Sequence, residues 1–227
     1  MAKLTVLQLD TAFTRLPGDV ASPDSYDCTV EIVTIPAATV KDIVTDHPER
    51  TNISGFEAAI DKIDHTAADG DVITTSCGFL CYWQNHLASR TRLPFIGSAL
   101  IDLPRLTAIY GHRLGILTFD AGILGKPAYA EAMAGFKGPV VGMPPASHLH
   151  QIISQNGVHI DRHRAETEII DLVRAMIAQT PIDALLLECT NLPPYKAALK
   201  AELGIEIYDI LTVLHNLDTQ IVKSYYH

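Results

Sequence analysis

Two segments of the chain share one layout, 112 residues apart: Asp71-Val-Ile-Thr-Thr-Ser-Cys77-Gly78-Phe79 and Asp183-Ala-Leu-Leu-Leu-Glu-Cys189-Thr190-Asn191. Each is an acidic residue, five residues with strand character, and a cysteine that opens a polar turn into the next helix. The match reaches further back, because Leu4-Thr-Val6-Leu7-Gln-Leu9-Asp10 parallels Leu114-Gly-Ile116-Leu117-Thr-Phe119-Asp120 at an offset of 110. Any parallel α/β chain repeats strand and helix at comparable intervals. The common Asp-to-Cys spacing favours duplication, and a period this long predicts two related lobes and not a solenoid.

Hydrophobic periodicity fills in the lobes. Leu4 to Asp10 reads as a strand followed by a long polar loop, Thr11 to Ser25, of the kind that often carries function. Cys28 to Ile35 is β-branched and closes at Pro36. Residues 54–67 place Phe56, Ile60 and Ile63 at helical spacing, Val72 to Thr75 is a buried strand, and Gly78 to Arg90 is predicted as one helix. The second half repeats the order, with strands at Leu114 to Phe119, Pro139 to Met143, Ala184 to Leu187 and Ile205 to Ile210. Helices are predicted at His163 to Gln179 and Thr212 to about Lys223. Strands that are largely apolar and alternate with helices predict an α/β fold with parallel sheets covered on both faces. The expected domains are a first α/β lobe over residues 1–104 plus 210–227 and a second over residues 105–209. They are related by a pseudo-twofold duplication, with the site in the cleft between them.

Composition removes several alternatives. Among 227 residues there are 17 Lys and Arg against 26 Asp and Glu, a formal charge of -9. That balance argues against nucleic acid, whose backbone is bound by clustered cations. No signal-peptide pattern precedes the first strand and no run of about 18 apolar residues occurs, so the expectation is a soluble, cytoplasmic protein without a membrane partner. Cys28, Cys77, Cys81 and Cys189 form no disulfide framework, and reduced thiols are expected.

Cys77 and Cys189 both fall at the carboxyl ends of strands, where open parallel sheets bind ligands. A following helix start favours the thiolate and offers N–H groups to an anion, so a lowered thiol pKa is expected at both positions. If the lobes face each other, one thiolate can remove a proton from a carbon next to a carboxylate while the other thiol delivers one to the opposite face. Backbone and hydroxyl donors at Ser76, Gly78, Thr190 and Asn191 would then hold the charge that develops on the carboxylate. Cys28 and Cys81 read as packing residues.

Thr75-Ser76-Cys77-Gly78 and Glu188-Cys189-Thr190-Asn191, at this separation, resemble the two active-site signatures of the aspartate/glutamate/hydantoin racemase superfamily. The resemblance spans essentially the whole chain. It implies two flavodoxin-like lobes, racemisation without pyridoxal phosphate or another cofactor, and Cys77 and Cys189 as the acid/base pair. It also implies ligand contacts from Asp10 and Thr118 at the ends of the first strand of each lobe. The chain departs from glutamate racemases, which tend to have Asn-Thr after the first cysteine and Thr-His after the second. Here Gly78-Phe79 and Thr190-Asn191 stand there, so Phe79 makes one wall more apolar and no histidine neighbours Cys189. Related arylmalonate decarboxylases keep one of the two cysteines, and maleate isomerases share the fold.

Arg15, in the long first loop, is a candidate to pair with a substrate carboxylate, against the alternative of a solvated loop arginine. Asp10 and Asp120 either cap the turns after their strands or orient a ligand. His148, His150, His159 and His163 lack an H-E-x-x-H pattern or a Cys pair, so no metal is expected. No G-x-G-x-x-G follows the first strand, so no nucleotide cofactor is expected. The reading is a racemase or epimerase acting on a small amino acid or related carboxylate. Its alternatives are a decarboxylase or cis-trans isomerase of the same fold, a two-lobed binding protein, and a thiol redox protein using Cys77 and Cys81. A homodimer is the default assembly.

Overall fold

The computed structural model describes residues 2–226. The four strands of the first lobe are β1 (Lys3–Leu9), β2 (Thr29–Ile35), β3 (Val72–Thr75) and β4 (Phe95–Ile96). They form a parallel sheet in the order β2-β1-β3-β4. The second lobe has β5 (Leu114–Thr118), β6 (Val140–Gly142), β7 (Ala184–Leu187) and β8 (Glu206–Tyr208), parallel and in the order β6-β5-β7-β8. The two orders are the same, as the offset of 110 to 112 requires. β3, β5 and β7 are buried along their whole length, which explains why they lack charged residues and do not alternate apolar with polar.

The repeated aspartates pin the amino ends of these strands. Asp71 Oδ1 accepts from the Lys3 N–H at 2.9 Å, and at the matching place Asp183 pairs with Arg113. Each joins the start of the lobe's third strand to the start of its first strand, so the cysteine at the other end projects from the carboxyl edge. In the order 2-1-3-4 the chain reverses direction across the sheet between the first and third strands, and a crevice opens there. The loop after β1 and Cys77 after β3 share that crevice, and Cys189 after β7 has the equivalent position.

Helices cover both sheets. The helix Ser54–Thr66 buries Phe56 and Ile60, and the helix Arg162–Gln179 buries Ile169, Ile170 and Val173. Two helices differ from expectation. Residues 78–90 are not one helix but a 3-10 segment, Gly78–Trp83, followed by a short α-helix, Gln84–Ala88. Gln84 is tied to the β4 strand, donating to the Phe95 carbonyl and accepting from the Gly97 N–H, so the chain reaches it by the tighter winding. The last helix runs Ile210–Leu217, because Asp209 caps it two residues earlier than the pattern indicates. It packs against β4 and the turn Ala99–Asp102. The segment after it returns to the first lobe through a Tyr26–Val222 bridge and the Asp27 N–H to Ile221 carbonyl bond.

No helix among the described residues is long and apolar enough to cross a membrane. Phe56, fully buried, holds its helix onto the first sheet. Phe56→Ala is expected to lower unfolding free energy by about 3–5 kcal/mol, measured by urea denaturation.

Candidate active site

Cys77 and Cys189 line the same cavity, together with Arg15, Ser76, Gly78, Phe79, Thr190 and Asn191. Both thiols are nearly enclosed, at 8% and 7% exposure, and all four cysteines are free. A hydrogen bond between the lobes fixes their relation: Thr190 Oγ1 donates to the Ser76 carbonyl at 2.6 Å. The loop after β1 closes the top. Its Asp19 accepts from Asn191 Nδ2 at 2.6 Å and its Val20 N–H donates to the Thr190 carbonyl. Ala12 and Thr14 donate to Asn156 Oδ1 and the Val158 carbonyl across the cleft. The cavity beneath holds only about 20 Å³, room on the order of one water.

Arg15 is not a solvated loop residue. Its side chain is 11% exposed, Nη1 reaches Asp19 at 3.2 Å and Nη2 donates to Thr11 Oγ1 at 2.8 Å. The guanidinium lies 4.1 Å from the centre of the Phe13 ring. Nε is buried with no hydrogen-bond partner among the described residues, so its N–H can serve a carboxylate. The rest of the lining is mostly apolar, with Leu9, Phe13, Val40, Val44, Phe119 and Ile153 beside Thr11 and Glu188. Phe79 also bridges the lobes, edge-on to Tyr129 with ring centres 5.4 Å apart.

Several donors expected from the sequence are already committed. The Thr190 hydroxyl is spent on the Ser76 carbonyl and the Asn191 amide on Asp19, and Ser76 Oγ accepts from the Leu9 N–H. Asp10 is exposed, lies off the cavity wall and accepts from the Ala37 N–H at 3.0 Å. Asp120 caps the helix Ala121–Leu124. Thr118, fully buried, stands one layer behind the cavity. Of the histidines, His148 accepts from the Asp161 N–H and His150 stacks on Phe119 with ring centres 4.4 Å apart.

The residue that sequence reasoning missed is Glu188. It takes the place in the second lobe that Ser76 has in the first, is fully buried and lines the cavity beside Cys189. Thr118 Oγ1 donates to its Oε2 at 2.7 Å, while Oε1 has no partner among the described residues. Its carboxyl lies against the backbone of Gly78: a Cβ there would meet Oε1 at 2.1 Å and the Glu188 carbonyl oxygen at 2.5 Å. The available signal was a carboxylate ending a strand that is otherwise entirely apolar.

Burial raises Glu188 to a pKa of about 7, with the Thr118 hydroxyl and Phe119 N–H opposing it. The thiols move up, against the expectation of thiolates stabilised by helix starts. Burial and then the Glu188 charge push Cys77 up to about 12, and the same two causes raise Cys189. The N–H groups of Phe79 and Leu80 do favour the Cys77 thiolate, as does that of Asn191 for Cys189, but desolvation outweighs them. The thiols are therefore protonated in the closed site.

A raised carboxyl pKa costs stability as pH rises. At pH below 4.5, the ordinary value for Glu188, both folded and unfolded chains carry the proton and the group contributes nothing. Between there and about 7 the unfolded chain releases a proton that the folded one keeps, so stability falls, on the order of 3 kcal/mol in total. Glu188→Gln is expected to remove this decline, seen by comparing urea midpoints across that pH window. Gly78→Ala drives a methyl into the Glu188 carboxyl and carbonyl, and a loss of about 1–3 kcal/mol is expected from the same denaturation measurement.

A family model described as Asp/Glu/Hydantoin racemase matches residues 12–217. The chain is 29% identical over 219 residues to a dimethylsulfoniopropionate lyase from Durusdinium sp. clade D, covering 92% of this chain and 72% of that protein. Among solved structures, allantoin racemase from Klebsiella pneumoniae superposes with a TM-score of 0.62 at 16% identity, over 96% of this chain and 87% of the other. Picrophilus torridus aspartate racemase does so with 0.59 at 13% identity, over 99% and 98%. The structural likenesses establish a shared fold, two parallel four-stranded lobes. With the family model covering nearly the whole chain, this protein belongs to the Asp/Glu/hydantoin racemase family.

Proposed function

We propose that this chain takes a proton from the carbon next to a carboxylate of a small acid held between Cys77 and Cys189, and returns one to the opposite face, inverting that carbon. The observation that carries this reading is that the two thiols, from equivalent strand ends of two related lobes, line one closed cavity. They are close enough that the charge of Cys77 raises the pKa of Cys189. One sulfur as thiolate breaks the C–H bond, and the electron pair passes into the substrate carboxylate. The other thiol then gives up its proton to form the new C–H bond. Arg15, with its unpartnered Nε–H, and the backbone N–H groups at the strand ends are the groups for the carboxylate and for the charge that develops on it. The narrow, largely apolar cavity limits random protonation of that anion by water.

A second reading shares the first step. The relative from Durusdinium is named a dimethylsulfoniopropionate lyase, and in a β-substituted propionate the electron pair left by α-proton removal can instead expel the β-substituent. The C–S bond would break with its electrons leaving on dimethyl sulfide, and acrylate would remain. This path needs one base and no acid on the opposite face. The aromatic lining from Phe13 and Phe119 suits a sulfonium, which attracts ring faces and carries no N–H donors.

Incubation in deuterated water with amino acids, hydantoins, arylmalonates and dimethylsulfoniopropionate, followed by NMR, separates these outcomes. Inversion gives α-deuteration with loss of optical purity, elimination gives acrylate, and decarboxylation gives carbon dioxide. Cys77→Ser and Cys189→Ser are each expected to lower racemisation by roughly 10²–10⁴-fold. Elimination would depend on one of the two thiols only. Full racemase activity in either variant would sink the two-thiol reading.

A further inference from the structure

Glu188 is the one carboxylate among the lining residues of the cavity, and its position relates it to both sulfurs. It directly precedes Cys189 in the chain, and its carboxyl rests on Gly78, which directly follows Cys77. One oxygen is held by Thr118. The other has no partner among the described residues, an expensive arrangement for a buried polar atom unless it is used. The titratable and charged neighbours that face this group are Cys77 and Cys81 from the turn after β3, Cys189 from its own strand end, and Tyr129 from the second lobe, with Arg15 and Asp19 in the strap above. Both catalytic thiols respond to its charge. A closed cavity with room for about one water gives the thiols little solvent with which to exchange protons.

We propose that Glu188 is a third acid–base group of this site, taking the proton from one thiol to free its thiolate and returning it to the other after turnover. The proposal rests on the two-thiol reading above. In its active protonation state the site holds two thiols and one ionised carboxylate. The Cys77 S–H bond breaks and an O–H bond forms at Glu188, leaving a thiolate. That sulfur takes the substrate proton, breaking C–H and forming S–H, and the electron pair moves into the substrate carboxylate. The Cys189 S–H bond then breaks as the new C–H bond forms on the other face. Finally the Glu188 O–H bond breaks and the Cys189 S–H bond is restored. Protons and charge return to their starting count without solvent, and running the steps backwards serves the opposite enantiomer. A pKa near neutrality suits such a carrier. Gly78 has a matching role, since any side chain there would displace the carboxyl.

The test reads the thiols directly and needs no substrate. Iodoacetamide captures thiolates, so the rate of alkylation at Cys77 and at Cys189 is followed by peptide mass spectrometry between about pH 5 and about pH 9. In the wild-type chain the rate is expected to rise through an inflexion near the Glu188 pKa of about 7, because only the ionised carboxylate can accept the thiol proton. Glu188→Gln should lose that inflexion. Thr118→Val removes the donor that favours the charged form and should move the inflexion to higher pH. It decides the matter alone if the glutamine variant does not fold. Wild-type and Glu188→Gln profiles that superimpose, whether flat or sloping, would overturn the proposal, as would an unmoved inflexion in Thr118→Val. If the inflexion behaves as expected while no compound of the NMR panel is turned over, the coupling stands and the racemase reading fails.

Discussion

A single hydrogen bond, from Thr190 Oγ1 to the carbonyl of Ser76, ties the strand end that carries one thiol to the strand end that carries the other. Each of these residues adjoins a cysteine, so the bond sets the sulfur positions with one rotatable side chain between two sheets. Everything else in the site is built on that junction. The strap attaches to it through Val20 and Asn191, Gly78 and Glu188 meet beneath it, and Phe79 wedges against Tyr129 beside it. Two lobes that merely touched would leave the sulfurs free to drift, and the proposed proton transfer to opposite faces of one carbon would tolerate little drift.

Desolvation then decides the charge state. Two sulfurs and a carboxyl share a buried space where desolvation raises all three, the Glu188 charge further raises both thiols, and the Cys77 charge adds to the shift of Cys189. The arrangement favours a single negative charge whose location can change. This is the opposite of a resting thiolate pair and has a chemical advantage: a thiolate of high pKa is a stronger base toward a carbon acid than one stabilised by a helix start.

Much of this was legible in the residues. The Asp-to-Cys spacing predicted two lobes, and the sheets have the same strand order because each half folds by the same rules. The uncharged runs at β3, β5 and β7 are central parallel strands, as their composition indicated. The features that escaped are those set by distant parts of the chain. A helix start after Cys77 is a local cue for a low pKa, but burial comes from both lobes and reverses it. Glu188 ends a strand where a carboxylate would ordinarily reach solvent, and only Gly78, from the other lobe, makes room for it inside. Asp10 illustrates the reverse case. It sits at the strand end where a ligand contact was expected, yet Leu9 points inward, so the pleat turns its neighbour outward.

The strap over the cavity has an energetic consequence: if the loop after β1 must leave Asn156, Val158 and Asn191 to admit a ligand, the apparent affinity is reduced by the fraction of time it spends open. That fraction is a property of the protein and falls equally on all small acids. Discrimination among them must therefore come after closure, from the wall where Gly78-Phe79 faces Thr190-Asn191, while the stiffness of the strap governs how fast any of them is admitted and released.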